Sequence, residues 1–513
     1  MAGIRLARGF FTVGAWTMAS RVLGFVRDVV IAAALGAGPV AEAFVVAFSL
    51  PNMFRRFFAE GAFNMAFVPM FAKRVEAGHG AQEFARDALT GLASIVLVVT
   101  LLGQVFMPAL VLAMASGFLG DERFDLAVLY GRIAFPYILF ISLAALLSGV
   151  LNATGRFTAA AAAPVLLNLI FIAALSLGAW LGWDMGLTLV WAVPVAGIAQ
   201  LALVWTAASR AGFRLIPRRP RMTPELKRLA IIAAPAALAG GVVQINLLIG
   251  RQVASIFDGA IAWLNYADRL YQLPLGVVGI AIGVVLLPDL ARRLSADDSA
   301  GGRESLSRAG EMALALTVPA AVALLVIPLP LVQVLFQRGA FTVDDTAATA
   351  VAVQIYGLGL PAFVLQKVLQ PVYFARENTR TPFYFALVSL VVNAAIAIGL
   401  APVIGYTAAA FGTTLAAWAM VALLWIGTWR MGEVARFDRR FWRRIWRIGV
   451  ASWAMGAVLW VLTLPLHPLL GAPGLDVIAL IILILAGIVS YFGIGHLIHA
   501  FRMSDFRAAL KRS

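Results

Sequence analysis

The chain has no cysteine, which removes disulfides and thiolate metal sites from consideration. Its four histidines, His79, His467, His496 and His499, are scattered without the spacing of a ligand set, so the sequence offers no metal centre and no cofactor site. Charge is scarce. Only 13% of the 513 residues are charged, whereas an ordinary soluble domain is about a quarter charged. Acids are scarcer than bases, 25 against 40, for a net charge of +15. Long polar stretches are missing too, and no separate soluble domain fits between the apolar runs. What is present is hydrophobic: 62% of the residues and a mean hydropathy of +0.92. The apolar runs are each about 20 residues long, the length that spans ~30 Å of hydrocarbon as helix. These features define an all-α integral membrane protein. The first run carries three charges and leads directly into a second apolar stretch without a small-residue cleavage site, so it reads as a retained helix.

Hydropathy predicts fourteen transmembrane helices, at 10–35, 40–72, 88–114, 127–152, 159–182, 187–209, 228–257, 260–291, 308–336, 347–375, 382–401, 405–429, 445–465 and 475–500. A missed helix would scramble the alternation of Lys and Arg between successive loops. The alternation is clean: thirty cations fall on one side, while Arg123 and Arg338 alone fall on the other. Both termini are therefore expected in the cytoplasm. The densest blocks, Arg210 to Arg228 and Arg430 to Arg447, hold seven cations each. Topology and contact with anionic membrane lipids explain them without nucleic acid.

Eight cations remain inside the predicted spans: Arg21, Arg27, Arg55, Arg56, Arg132, Arg251, Arg269 and Lys367. The acids at similar depth are Asp28, Glu42, Glu60 and Asp268, with Asp289 and Glu311 near helix ends. Bare arginines facing lipid are untenable, so the excess of positive charge predicts a shared hydrated cavity suited to an anion. Arg21, Gly24 and Asp28 fall on one face of the first helix. Arg56 and Glu60 are four residues apart, close enough to pair. Asp268 and Arg269 lie one turn before Pro274. Gly24, Pro51, Gly61 and Pro274 are candidate bends beside these charges. Simple packing ion pairs would account for Arg56 with Glu60, or for Asp28 with one arginine, but the acids are too few for all eight cations. An arginine fork suits phosphate oxygens, which makes a phosphate or diphosphate the expected guest. Lys367, Arg251 and Asp268 are secondary candidates, and Arg132 sits near a helix end, within snorkelling reach of the interface.

A faint internal repeat accompanies these charges. The segment from Pro136 to Asn168 aligns without gaps to that from Pro361 to Asn393, and VPMFAKR at 68–74 answers LPDLARR at 287–293. Both matches pair helices six apart, which predicts two parallel six-helix lobes with two appended helices. The expected divisions are 1–215, 216–430 and 431–513.

The stretches SRVLGFVRD, LGAGPVAEAFVVAFSLPNMFRRFFAEGAFNMAFVP, YADRLYQLPLGVVGIAIGVVLLP and RGAFT closely resemble the MurJ (MviN) family, lipid II flippases of bacterial peptidoglycan synthesis. The resemblance implies the MOP-type exporter fold: two six-helix lobes around a V-shaped cationic cavity, and two last helices lining a groove for the polyprenyl tail. By motif, Arg21, Arg27, Asp28, Arg55 or Arg56, Glu60 and Arg269 match essential or substrate-contacting positions, and Glu42 stands where an aspartate is common. Gln272 occupies a place where some members have an acid. Some members bind sodium in the second lobe. Asn393 and Thr413 could offer oxygens here, but no acid lies in the predicted helices 382–401 and 405–429, so the coupling ion, sodium or proton, stays open.

The resemblance implies a flippase that carries undecaprenyl-diphosphate-linked peptidoglycan precursor from the cytoplasmic to the periplasmic leaflet of the inner membrane by alternating access. It would serve cell-wall synthesis and cell shape, with other cell-wall synthesis proteins as further partners. Flippases for another polyprenyl-diphosphate-linked glycan stay open as an alternative. A multidrug exporter of the same superfamily handles cations, which a positive cavity repels. A membrane enzyme acting on the same lipid would need an acid, base or nucleophile cluster with water access. The short, nearly uncharged loops on the poorly charged side offer none.

Overall fold

The computed structural model describes residues 2–56, 62–296, 298–472 and 474–500. Among them are eighteen α-helices and no strand. Hydrocarbon offers the backbone no water, so each apolar segment closes its own N–H···O=C bonds as helix. The chain opens with α1 (Ala2–Leu35), α2 (Pro39–Arg55), α3 (Ala62–Ala77), α4 (Ala81–Val105) and α5 (Met107–Met114). A 3₁₀ turn (Ser116–Phe118) leads to α6 (Glu122–Ala134), α7 (Tyr137–Ala153), α8 (Thr158–Leu181) and α9 (Met185–Arg210). Next come α10 (Pro224–Ala254), α11 (Ala260–Ser295), α12 (Ser299–Val326) and α13 (Pro328–Phe336). The chain continues through α14 (Val343–Phe374), α15 (Arg380–Ile404), α16 (Thr407–Thr428), α17 (Arg439–Leu470) and α18 (Asp476–Leu497). Ten segments of the described residues are long and apolar enough to cross a membrane.

Four predicted spans correspond to two helices each. The span 40–72 contains α2 and α3, on either side of residues outside the described set. The span 88–114 breaks at Phe106, two residues before Pro108, whose nitrogen cannot donate into the helix. The span 127–152 is divided at Phe135 and Pro136, and 308–336 is divided at Ile327 just before Pro328. This order is consistent with fourteen spans. The breaks at Phe106 and Ile327 also fall in spans six apart, the separation of the repeat. The candidate bends Gly24, Pro51 and Pro274 lie inside α1, α2 and α11, which continue as helix through them. Gly61 lies outside the described residues.

Packing divides the chain into two compact units, Met1–Ala262 with Arg338–Phe341, and Trp263–Gln337 with Thr342–Ser513. In the first, α1 lies along α8, α9 packs on α7 and α8, α2 packs on α6, and α10 packs on α3. The contact boundary falls at the start of α11, and α10 is stitched to the α5–α6 connection. Gln252 accepts from the N–H and hydroxyl of Ser116 at 2.9 and 2.7 Å, and donates to the Leu112 and Ala113 carbonyls. The Ser255 hydroxyl accepts the Gly117 N–H at 3.0 Å.

In the second unit, α12 packs against both α14 and α17, α16 against α14 and α15, and α18 against α17. Apolar burial alone does not drive helices together in lipid, so polar ties between them matter, each worth about 0.6 kcal/mol on average. The Tyr373 hydroxyl donates to the Leu424 carbonyl, and that of Tyr491 to the Ala315 carbonyl, both at 2.6 Å. The basic block at the start of α17 does more than mark topology. Buried Glu311 on α12 pairs with Arg308, with Arg444 at 3.0 Å and with Arg440 at 3.6 Å, while Arg308 also meets Asp438.

Candidate functional site

Among the cations inside the predicted spans, Arg27 on α1 has the best-described partners. Its Nε and Nη2 both donate to Oδ1 of Asp28, at 3.0 and 2.7 Å, and its Nη1 donates to Asn168 Oδ1 on α8 at 2.9 Å. The Asn168 amide also donates to the Ser20 carbonyl at 2.9 Å, so its one side chain ties together two points on α1. Asn168 is buried, and the Phe171 ring, one turn further along α8, lies 5.8 Å from the guanidinium carbon. Gly24 faces the same asparagine: a methyl there would stand 3.5 Å from the Asn168 amide nitrogen, an ordinary contact. Sequence reasoning missed Asn168 as a site residue. Its one signal was its place among the few identities of the repeat.

This arrangement leaves chemistry available. A guanidinium carries five N–H donors, and the three bonds named above engage one on each nitrogen. One further N–H therefore remains on each of Nη1 and Nη2, the pair of donors that two phosphate oxygens can span. Asp28 and Asn168 fix the ring of donors in place and leave that pair to a ligand.

The other expected site residues are distributed as follows. Arg21 and Arg56 are exposed, and Arg55 is half-buried near the end of α2. Glu60 lies outside the described residues, so its pairing with Arg56 is not described. Arg251, on α10, is half-buried in the first unit. In the second unit, Asp268 and Arg269 are half-buried on α11, Lys367 is exposed on α14, and the Gln272 amide donates to Asp268. Gln272 thus supplies no acid of its own but holds one a turn away. Tyr271 beside them packs between Tyr356 and Phe363, with ring centroids 5.1 and 5.3 Å away.

Glu42 has a different setting. It is 1% exposed and accepts Arg123 Nη1 at 3.0 Å together with the backbone N–H of Ile261, also at 3.0 Å. Arg123 was counted in the sequence as a loop cation, yet only 5% of it is exposed. It is held by Asp121 at 2.6 Å, by Asp258 at 3.0 Å and by the Phe118 ring 4.5 Å below. The Asp121 carboxylate also caps α6 by accepting the Arg123 backbone N–H at 2.8 Å. Its hydrogen bond from the Arg123 guanidinium holds the Asp121 carboxyl below the usual carboxylate range. Three acids around one arginine tie the starts of α2, α6 and α11 together. The sequence signal for this was the acid-rich DERFD around Arg123, on a face with a single other cation.

The sodium ligands considered from the sequence fit poorly. The Thr413 hydroxyl donates to the Ala409 carbonyl at 3.0 Å, Asn393 is fully buried, and neither α15 nor α16 contains a carboxylate. These two helices therefore offer a cation no compensating negative charge.

A helical bundle with ten segments long and apolar enough to cross a membrane is the build of a multi-pass membrane transporter. The fold is similar to that of an inward-facing MATE multidrug transporter of the MOP superfamily, which matches with a TM-score of 0.66 at 14% identity, over 81% of this chain and 95% of that one. A solved lipid II flippase MurJ in an inward closed conformation matches with a TM-score of 0.78 at 25% identity, over 94% of this chain and 98% of that one. The family model described as "Lipid II flippase MurJ" matches residues 31–481. A probable lipid II flippase MurJ of Rhizobium meliloti (strain 1021) is 45% identical over 518 residues, 99% of this chain and 96% of that protein. The chain belongs to the MurJ family of lipid II flippases.

Proposed function

We propose that this chain is a transporter, not an enzyme, that moves lipid II from the cytoplasmic to the periplasmic leaflet of the inner membrane by alternating access, and so supplies peptidoglycan synthesis. The observation that carries the reading is Arg27: a guanidinium at membrane depth, braced by Asp28 and Asn168, with an N–H left on each terminal nitrogen for the diphosphate. Arg21, Asp28, Arg55, Arg56, Glu60 and Arg269 are assigned to the same substrate, with Asp268, Lys367 and Arg251 in secondary roles. Glu42 acts through Arg123 and the start of α11 rather than by touching the lipid, since its carboxylate is enclosed by protein partners.

The excess of cations on one set of loops supports a topology with both termini cytoplasmic. The sequence repeat supports functional lobes at 1–215 and 216–430, with 431–513 as an appended pair of helices. Other cell-wall synthesis proteins are proposed as partners on the strength of the shared substrate. The test is lipid II translocation in cells depleted of their own flippase. Expression of this chain should restore it, and an inserted, abundant protein that restores none would contradict the reading.

A further inference from the structure

The guanidinium of Arg27 is held from within its own plane, and at two oxygen atoms. Two of its three hydrogen bonds end on the same atom, Asp28 Oδ1, and the third ends on Asn168 Oδ1. A flat group held at two points can swing about the line that joins them, and its aliphatic stem resists little because it turns about single bonds. Such a swing re-aims the remaining N–H of Nη1 and Nη2, the donors left for phosphate. Fixing them takes a third contact outside the plane. The structure supplies one: the guanidinium carbon lies over the Phe171 ring, 5.8 Å from its centroid. A cation is drawn to the face of an aromatic ring, more strongly where water is excluded, so the ring acts on the charge as well as filling volume.

Phe171 and Asn168 are three residues apart on α8, so the ring and the asparagine reach α1 from one helix face. The ring is itself held. It is fully buried, and two rings of α2 flank it, Phe48 with centroids 5.6 Å apart and Phe44 edge-on at 6.4 Å. Those two stack on each other at 5.6 Å, and Phe48 also meets Tyr137 at 6.3 Å, whose hydroxyl donates to buried Gln200 at 3.1 Å. We propose that Phe171 is a positioning residue for the substrate: α2 holds the ring, the ring fixes the tilt of the Arg27 plane, and the tilt aims the two remaining N–H groups at phosphate oxygens. The inference rests on the flippase reading above for its ligand. It gives α2 a part in binding that does not depend on its own arginines.

Two measurements on the full chain in lipid vesicles test it. Phe171→Leu keeps an apolar side chain and removes the ring face. The lipid II content that half-saturates transport should rise about fivefold. The maximal rate should change by less than about twofold, the mark of a weakened grip on the substrate. Phe48→Leu should move half-saturation the same way, and the two changes together should cost less than the product of their separate effects. Unchanged half-saturation in Phe171→Leu, or effects that multiply in full, would overturn the assignment and leave the flippase reading intact. The second measurement needs no lipid II. Phe171→Leu should lower the melting temperature of the unaltered chain by more than that of Arg27→Met, because only the unaltered chain has a charge over the ring. Equal losses in the two backgrounds would mean plain packing and overturn the assignment. If the unaltered chain transports no lipid II, the flippase reading fails, and this comparison still decides whether the ring holds the arginine.

Discussion

Asn168 and Asn393 occupy the same place in the two copies of the repeat, and both are buried. Asn168 braces an arginine on a neighbouring helix. Asn393 lies where α15 meets α16, so close to Gly412 that a methyl there would stand 2.5 Å from its Oδ1, on a helix pair without a carboxylate. The prolines that open the two copies differ as well: Pro136 sits at the break between α6 and α7, while α14 runs through Pro361. The repeat carries the same residue type at both places, and Asn168 stands beside the charged side chain of Arg27. A second contrast has opposite polarity. In the first unit one buried arginine, Arg123, gathers three acids, and in the second one buried acid, Glu311, gathers three arginines. Charge is used in both units, and in the first it includes Arg27, which keeps an N–H on each terminal nitrogen.

The largest effect should fall on that arginine. Arg27→Ala should lower lipid II transport by about 100-fold or more, the loss of charge-assisted bonds of ~1.5–3 kcal/mol each, while the protein still accumulates in the membrane. Arg27→Lys should rescue poorly, because a point charge cannot reproduce the fork. Full activity with lysine would reduce the site to a diffuse positive field. Next in size is Arg123→Ala, which strands the buried Glu42 carboxylate and should destabilise the protein by roughly 3–5 kcal/mol in thermal unfolding, with partial recovery on adding Glu42→Gln. The matching change Glu311→Gln should do less, because Arg308 and Arg440 are 27% and 43% exposed and can turn to water.

The paired asparagines give a sharper contrast at smaller amplitude. Asn168→Ala should cut transport about tenfold through a freed Arg27, a loss of ~1–3 kcal/mol, whereas Asn393→Ala should alter thermal stability and leave transport near normal. Equal losses of transport would erase the asymmetry. The smallest effect concerns pH. Because the folded-state value of Asp121 is lowered, its contribution to stability is present above the unfolded carboxylate range and disappears as pH falls through the folded value. With 40% of its side chain exposed, the contribution is below about 1 kcal/mol. The melting temperature should show a small acid step below pH ~4, and Asp121→Asn should abolish it.

Much of the fold was legible because lipid imposes a simple rule: long apolar runs become helices, and loop cations mark their alternation. The helix breaks at Phe106 and Ile327 were not legible, because proline and its apolar neighbours leave hydropathy unchanged while removing a backbone donor. The charges at depth were found by counting, but their partners were not. Asn168 lies 141 residues from Arg27, and Glu42 lies 81 from Arg123, and no periodic pattern records a contact between helices so far apart in the chain. Arg123 was misplaced for a related reason: at a helix start it reads as a loop cation until Asp121, Asp258 and Glu42 close around it.

The central claim is that this chain carries lipid II and grips it with an arginine braced in its first half. The direct measurement is lipid II translocation in cells depleted of their own flippase, comparing the unaltered chain with Arg27→Ala at matched membrane abundance. The account predicts that the unaltered chain restores translocation and that Arg27→Ala restores almost none. Translocation by Arg27→Ala at the unaltered rate would contradict it.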